Sequence, residues 1–76
     1  MRIEKEKLGE AIRKRREILG LIQSQLSAIS GINTRTIQLV EAGKANPSIE
    51  TLLQIIDPLG LTLELILKTP ANKTDE

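Results

Sequence analysis

The first apolar positions of the chain recur at the spacing of an α-helix. Leu8, Ile12 and Leu19 keep one helical face apolar, which predicts a first helix over about residues 6–19. Gly20 follows at a place where helices often end in a left-handed turn, a conformation that glycine adopts without a Cβ penalty. The pattern therefore predicts a helix that stops at Gly20.

Two short helices are predicted next, over about residues 23–30 and 34–42. In each of them, two apolar positions lie three residues apart and a glycine follows the last turn. The apolar pairs are Leu26 with Ile29 and Ile37 with Val40, and the glycines are Gly31 and Gly43. Asn33 can cap the second of these helices, because its side-chain oxygen can accept a hydrogen bond from an amide of the first turn.

A fourth helix is predicted after the loop that contains Pro47. Ser48 can cap its N-terminus, and an apolar stripe follows at helical spacing. The stripe consists of Ile49, Leu52, Leu53, Ile56 and Leu59. Because Pro58 lacks a backbone donor and strains the preceding turn, we expect this helix to end early or to bend before Gly60.

The apolar period then changes from that of a helix to two, which predicts a β-strand over residues 61–67. The alternating leucines are Leu61, Leu63, Leu65 and Leu67. No other segment has a strand pattern, so we expect this strand to pair with its copy across a homodimer. Residues 68–76 are polar and lack periodicity, which predicts a disordered tail.

Composition narrows the possible functions. The chain has 76 residues, enough for one small domain, and contains no Cys, His, Phe, Tyr or Trp. Thiol nucleophiles, imidazole bases and Cys/His metal sites are excluded, so we expect no catalytic residue, no metal and no cofactor. The lack of aromatic rings argues against binding of single-stranded nucleic acid by base stacking. No apolar run is long enough for a membrane span, and we expect a soluble, cytoplasmic protein.

The net charge of +1 hides an uneven distribution of charged residues. Residues 1–44 carry nine Lys and Arg against five Glu, whereas residues 45–76 carry two Lys against five Asp and Glu. The N-terminal part could therefore present a basic face to phosphate groups. Alone this is a weak indication, because charges in a short chain usually form solvated surface.

The second helix, the turn at Gly31 and the third helix have the spacing that places a helix in the major groove of DNA. Arginine can donate two hydrogen bonds to guanine, glutamine can pair with adenine, and leucine can contact the methyl group of thymine. Side chains of these kinds occupy the start and the outward face of the third helix. They are Asn33, Thr34, Arg35, Gln38 and Leu39.

Several motifs occur in register along residues 8–60. They are Arg16, G-L-x-Q at residues 20–23, the spacing from Leu26 to Gly31, T-I-x-x-x-E-x-G-K at residues 36–44, and N-P-S-x-x-T-L at residues 46–52. With these motifs the chain resembles the phage-repressor/Cro-like (XRE) helix-turn-helix family of bacteria and phages. We therefore expect an all-α, lambda repressor-like domain of four to five short helices over residues 1–60, followed by the dimerisation strand and the tail.

The resemblance implies roles for individual residues. Gln23 matches a position at the start of the second helix that holds a DNA phosphate. Arg16 and Glu41 match a structural ion pair that ties the first helix to the end of the third. Lys44 and Asn46 match a loop that contacts the DNA backbone. The base-facing positions of the recognition helix are matched by Thr34, Arg35, Gln38 and Leu39.

The chain departs from the family pattern in its second helix. Ile22 replaces a Thr or Asn that usually caps this helix, so a capping bond worth about 1 kcal/mol is expected to be missing. Ser27 and Ser30 replace small Ala residues and need hydrogen-bond partners. These departures concern stability more than the residues predicted to read bases.

A narrower resemblance concerns the C-terminal part. A single domain of this kind followed by G-L-T-L-E-L-I-L and a short polar tail is similar to the HipB-like antitoxins of bacterial type II toxin-antitoxin modules. This similarity implies a homodimer that represses its own operon at a palindromic operator in double-stranded DNA and binds a HipA-like toxin kinase. A stand-alone XRE-family regulator is the alternative, and a module whose main function is toxin binding is another. An enzyme is disfavoured, because no His or Cys is present to activate a hydroxyl group.

Overall fold

The structure is a computed structural model that describes residues 4–66 of the chain. This part contains four α-helices and one 3₁₀ helix. They are α1 at Lys5–Ile18, α2 at Gln23–Ser30, α3 at Thr34–Glu41, α4 at Ile49–Ile56, and the 3₁₀ helix at Asp57–Leu59. The first three helices lie within one residue of the predicted ranges. None of the helices in the described part is long and apolar enough to cross a membrane.

Side-chain caps start α3 and α4 as predicted. Asn33 Oδ1 accepts a hydrogen bond from the Thr36 amide (2.8 Å), and Ser48 Oγ accepts one from the Thr51 amide (3.1 Å). Each bond satisfies an amide that the first turn of a helix leaves unpaired. The α-helical geometry of α4 ends just before Pro58, and a 3₁₀ turn completes the element, which confirms the early end predicted from proline.

The N-terminus of α2 lacks a side-chain cap, as expected from Ile22. Gln25 compensates in part, because its Oε1 accepts a hydrogen bond from the Ile22 amide at 2.8 Å. This is the half of a capping box that the third helical residue supplies. At the other end of α2, Ser30 Oγ accepts a hydrogen bond from the Ile32 amide at 3.1 Å. The oxygen of Ser30, one of the two serines that replace alanine, is therefore hydrogen-bonded within the turn.

The turn between α2 and α3 depends on a left-handed residue. Gly31 has a φ of 78°, and its amide donates to the Ser27 carbonyl at 3.0 Å. A residue with a Cβ would be strained in this conformation, so glycine ends α2 here. The chain then turns tightly, and α3 packs across both α1 and α2.

An aliphatic core lies between the helices. Its buried members are Ile12, Leu26, Ile37, Val40, Leu52, Ile55, Ile56 and Leu59. The predicted inward faces were partly wrong. Ile55, absent from the predicted stripe of α4, is completely buried, whereas Ile49 is 67% exposed, and Ile29 of α2 is 58% exposed. The segment IETLLQII holds so many apolar residues that periodicity alone does not identify its inner face.

The strand predicted over residues 61–67 is not formed in residues 61–66, and Leu67 and the predicted tail, residues 68–76, lie outside the described residues. A strand needs a neighbour for its backbone groups, and residues 4–66 contain no other strand. Leu61 packs against the core, whereas Leu63 is partly exposed and Leu65 is fully exposed.

The backbones of α1 and α3 approach each other closely at Gly9. A Cβ atom added to Gly9 would overlap the carbonyl oxygen of Val40 and lie 2.7 Å from that of Glu41. Only glycine allows this approach, so Gly9 determines how near α1 lies to the end of α3.

Replacing Gly9 by alanine is expected to lower the free energy of unfolding by about 1–3 kcal/mol, because a methyl group must displace backbone rather than a flexible side chain. Urea denaturation followed by circular dichroism measures the change. The control is Glu10→Ala at an exposed position of the same helix, with an expected change within about 0.5 kcal/mol. Equal stability of the two variants would show that α1 and α3 are not in backbone contact.

Candidate nucleic-acid interface

The outward face of α3 carries the residues predicted to read bases. Ile37 and Val40 are buried in the core and fix the orientation of the helix. Arg35 and Gln38 are exposed, and residues at such three- and four-residue spacings share one side of a helix. The half-buried members of the same predicted set are Thr34 and Leu39. The structure therefore brings these four side chains together on α3.

The side-chain oxygen of Asn33 has a structural role in the fold. Its Oδ1 accepts the hydrogen bond from Thr36 that caps α3. The side chain is exposed, and its Nδ2 has no acceptor among residues 4–66. The whole donor end of Asn33 is thus available to a ligand, whereas its oxygen is shared with the cap.

Arg16 and Glu41 form a buried, two-bond ion pair between α1 and α3. Arg16 Nε lies 2.7 Å from Glu41 Oε2, and Arg16 Nη2 lies 2.9 Å from Glu41 Oε1. Arg16 Nη1 also donates to the Leu21 carbonyl at 2.8 Å, and both charged residues are only 8% exposed. The hydrogen bond to Glu41 raises the pKa of Arg16 above its usual value, so the guanidinium stays charged.

Gln23, at the start of α2, is hydrogen-bonded to the same ion pair. Its Nε2 donates to Glu41 Oε1 at 3.0 Å. From the sequence we expected this side chain to contact a DNA phosphate, and the structure shows that one of its two N–H groups is already used within the protein. The other N–H group has no acceptor in the described part of the chain.

Two backbone amides at the start of α2 are unpaired within residues 4–66. The amides of Gln25 and Leu26 both donate to the Ile22 carbonyl, whereas those of Gln23 and Ser24 have no acceptor there. Unpaired amides at a helix N-terminus suit an anion such as a phosphate oxygen. Ser24 was not predicted from the sequence as a contact residue, because a backbone donor is signalled only by its place in the first turn of the helix.

The loop after α3 carries the remaining predicted contacts. Lys44 and Asn46 are exposed, and the Lys44 amide donates to the Leu39 carbonyl at 2.9 Å. Arg35 and Lys44 therefore lie near opposite ends of α3, which is about 12 Å long for its eight residues. Neither cation forms a salt bridge with another residue of the described part.

The described residues contain no group of three or more acidic side chains that could hold a metal ion. What they offer a ligand is a set of hydrogen-bond donors: side chains on α3, unpaired amides at the start of α2, and a lysine beyond α3. Such a set fits the acceptor groups of a nucleic acid.

Comparison with known protein families shows to which family the chain belongs. A family model described as "Helix-turn-helix" matches residues 12–66, which is more than half of the chain and includes α2, the turn and α3. The chain belongs to the XRE-type helix-turn-helix family.

A curated relative of this helix-turn-helix domain comes from Haemophilus influenzae and is named "Uncharacterized HTH-type transcriptional regulator". It is 43% identical over 51 residues, which make up 67% of this chain and 52% of the relative. The chain thus spans about half the length of the relative that it matches.

Proposed function

We propose that the chain is a sequence-specific DNA-binding regulator of transcription, in which α3 reads base pairs in the major groove. The observation that carries the proposal is the outward face of α3, where Arg35 and Gln38 are exposed on a helix held by core residues. Arginine and glutamine are the side chains that form two-bond contacts with guanine and adenine. Membership of the helix-turn-helix family and the name of the Haemophilus influenzae relative support the same function.

The phosphate contacts follow from the same arrangement. The amides of Gln23 and Ser24 can donate to one phosphate, and Lys44 and Asn46 can contact the DNA backbone beyond α3. Contacts of this kind fix the position of the protein without selecting a base sequence. Because they release counterions from DNA, the affinity falls steeply as the salt concentration rises.

Arg35→Ala is expected to weaken binding to the preferred duplex by about 1–3 kcal/mol and to relax the preference at one base pair, because a two-bond base contact is lost. Lys44→Ala is expected to weaken binding to all duplexes alike and to reduce the salt slope by about one. Fluorescence anisotropy with duplexes that differ at single positions measures both effects. The control is Gln54→Ala, at an exposed position of α4. Unchanged affinity and preference in Arg35→Ala would contradict the assignment of α3 as the reading helix.

The chain acts, in this proposal, as a homodimer joined through residues 61–67. An apolar groove of about 660 Å³ lies between residues 63–66, α1 and α4, with Leu8, Ile49 and Leu63 among its lining residues. Pairing of the two segments would satisfy their backbone groups and cover Leu65. Twofold symmetry would then place two copies of α3 in major grooves about 10–10.5 bp apart, or a multiple of that, on a palindromic operator.

Leu65→Glu is expected to shift the chain from dimer to monomer at micromolar concentration, because it places a charge in the paired segment. Sedimentation equilibrium measures the shift. Leu65 is fully exposed in the single chain, so the fold itself should be unaffected. Ile18→Glu is the matched control, since Ile18 is an exposed apolar residue of α1 outside the segment. Dimerisation of Leu65→Glu with wild-type affinity would rule out this interface.

For the biological setting, we propose that the chain is the autoregulatory antitoxin of a HipBA-like toxin-antitoxin module, with a HipA-like kinase as its partner. The support is the similarity of the domain, the G-L-T-L-E-L-I-L segment and the polar tail to HipB-like antitoxins. A stand-alone XRE-family regulator is the alternative, and membership of the family and the name of the relative fit it equally well.

A pull-down from the native source with the tagged chain, with and without its own promoter DNA, separates the two candidates. The antitoxin proposal predicts recovery of a stoichiometric kinase-like protein, identified by mass spectrometry, together with the promoter. Recovery of the promoter without a protein partner would contradict the antitoxin proposal and favour the stand-alone regulator.

A further inference from the structure

We infer that Glu41 is a positioning residue for the phosphate contact at the start of α2 and that it acts through the side-chain amide of Gln23. The inference rests on the proposed DNA-binding function and deepens it. The resemblance assigned Glu41 to a structural ion pair only, whereas the structure connects its carboxylate to a residue at the proposed interface.

The carboxylate of Glu41 decides which end of the Gln23 amide faces outward. Glu41 Oε1 accepts hydrogen bonds from Arg16 Nη2 at 2.9 Å and from Gln23 Nε2 at 3.0 Å. An ionised carboxylate only accepts hydrogen bonds, so the NH₂ end of Gln23 must lie against it. One N–H of that group is used, and the second has no acceptor in the described part of the chain, so it is available to a ligand. Without this partner the amide could rotate and present its oxygen, which repels a phosphate.

Glu41 can orient Gln23 because Glu41 is itself buried and bonded through both carboxylate oxygens. Its side chain is only 4% exposed, and both of its oxygens are bonded to Arg16. Gln23 is only partly buried, and its Nε2 is bonded to this fixed group at one point. The rotamer entropy of Gln23 is therefore lost when the chain folds rather than when DNA binds, which favours binding.

The decisive variant removes the positioning group without leaving a buried charge unpaired. In Arg16→Met/Glu41→Met, apolar side chains of similar size replace the whole ion pair, a change that often leaves stability unaltered. Gln23→Met removes the side-chain amide of Gln23, and it is made both in the wild-type chain and in the Arg16→Met/Glu41→Met chain. Anisotropy titrations with one operator-like duplex and one unrelated duplex give the four affinities of a double-mutant cycle.

The inference predicts that Arg16→Met/Glu41→Met is folded but binds both duplexes about tenfold more weakly, as expected for loss of a hydrogen bond to a charged group. Gln23→Met should also cost about tenfold in the wild-type background and less than about twofold in the Met/Met background. If the ion pair acted only through helix packing, the Met/Met variant would lose affinity by the same factor with and without Gln23. That result would overturn the inference, and so would wild-type affinity of the folded Met/Met variant.

A second measurement, on the wild-type chain, tests whether Glu41 holds the Gln23 side chain even if the Met/Met variant does not fold. The ¹H–¹⁵N signals of the Gln23 side-chain amide, identified by their loss in Gln23→Met, should show a rigid group in the free protein. The exposed Gln54 amide is the mobile reference. On addition of the duplex, one of the two Gln23 amide protons should shift more than the other. A Gln23 amide as mobile as that of Gln54 would overturn the inference.

These results distinguish failure of the inference from failure of the proposed function. A wild-type chain that binds no duplex would overturn the proposed function and the inference together. A wild-type chain that binds DNA, with independent effects of Gln23→Met and the Met/Met substitutions, would overturn the inference alone.

Discussion

The buried ion pair between Arg16 and Glu41 holds the three N-terminal helices in one arrangement. A buried charge is destabilising unless its hydrogen-bonding groups are satisfied, and here the guanidinium also bonds the Leu21 carbonyl while the carboxylate also bonds Gln23. The end of α1, the start of α2 and the end of α3 are therefore joined at one point. The ion pair therefore sets the distance from the N-terminus of α2 to the outward face of α3. The proposed DNA contact requires the N-terminus of α2 and this face of α3 to face the same duplex.

The rest of the fold compensates for small size with close packing. Helices of eight residues are marginal in isolation, so α2, α3 and α4 depend on capping side chains and on burial against one another. The core contains only aliphatic side chains, and Gly9 lets the backbones of α1 and α3 come into contact. Close approach of this kind lets a short chain without aromatic residues enclose a core. It also leaves the long polar side chains of α3 on the outside, where a ligand can reach them.

The sequence predicted the helices well, since caps, turn glycines and apolar periodicity are local signals. Prediction from the sequence failed for features that depend on contacts between residues far apart in the chain. Ile55 was missed because α4 is apolar on several sides, and Gly9 because close approach of two backbones leaves no periodic trace. Residues 61–66 have a strand pattern, but the pattern does not show whether a partner strand is present. The bond between Gln23 and Glu41 joins residues 18 positions apart, and the family motif gives each residue a separate role.

The central claim, that α3 reads a base sequence from a scaffold fixed by the ion pair, is tested most directly by selection from a randomised library of DNA duplexes with the wild-type chain. The account predicts enrichment of one sequence family with two half-sites related by twofold symmetry and spaced about 10–10.5 bp apart or a multiple of that. Recovery of DNA with the base composition of the starting library, at any salt concentration that permits binding, would contradict it.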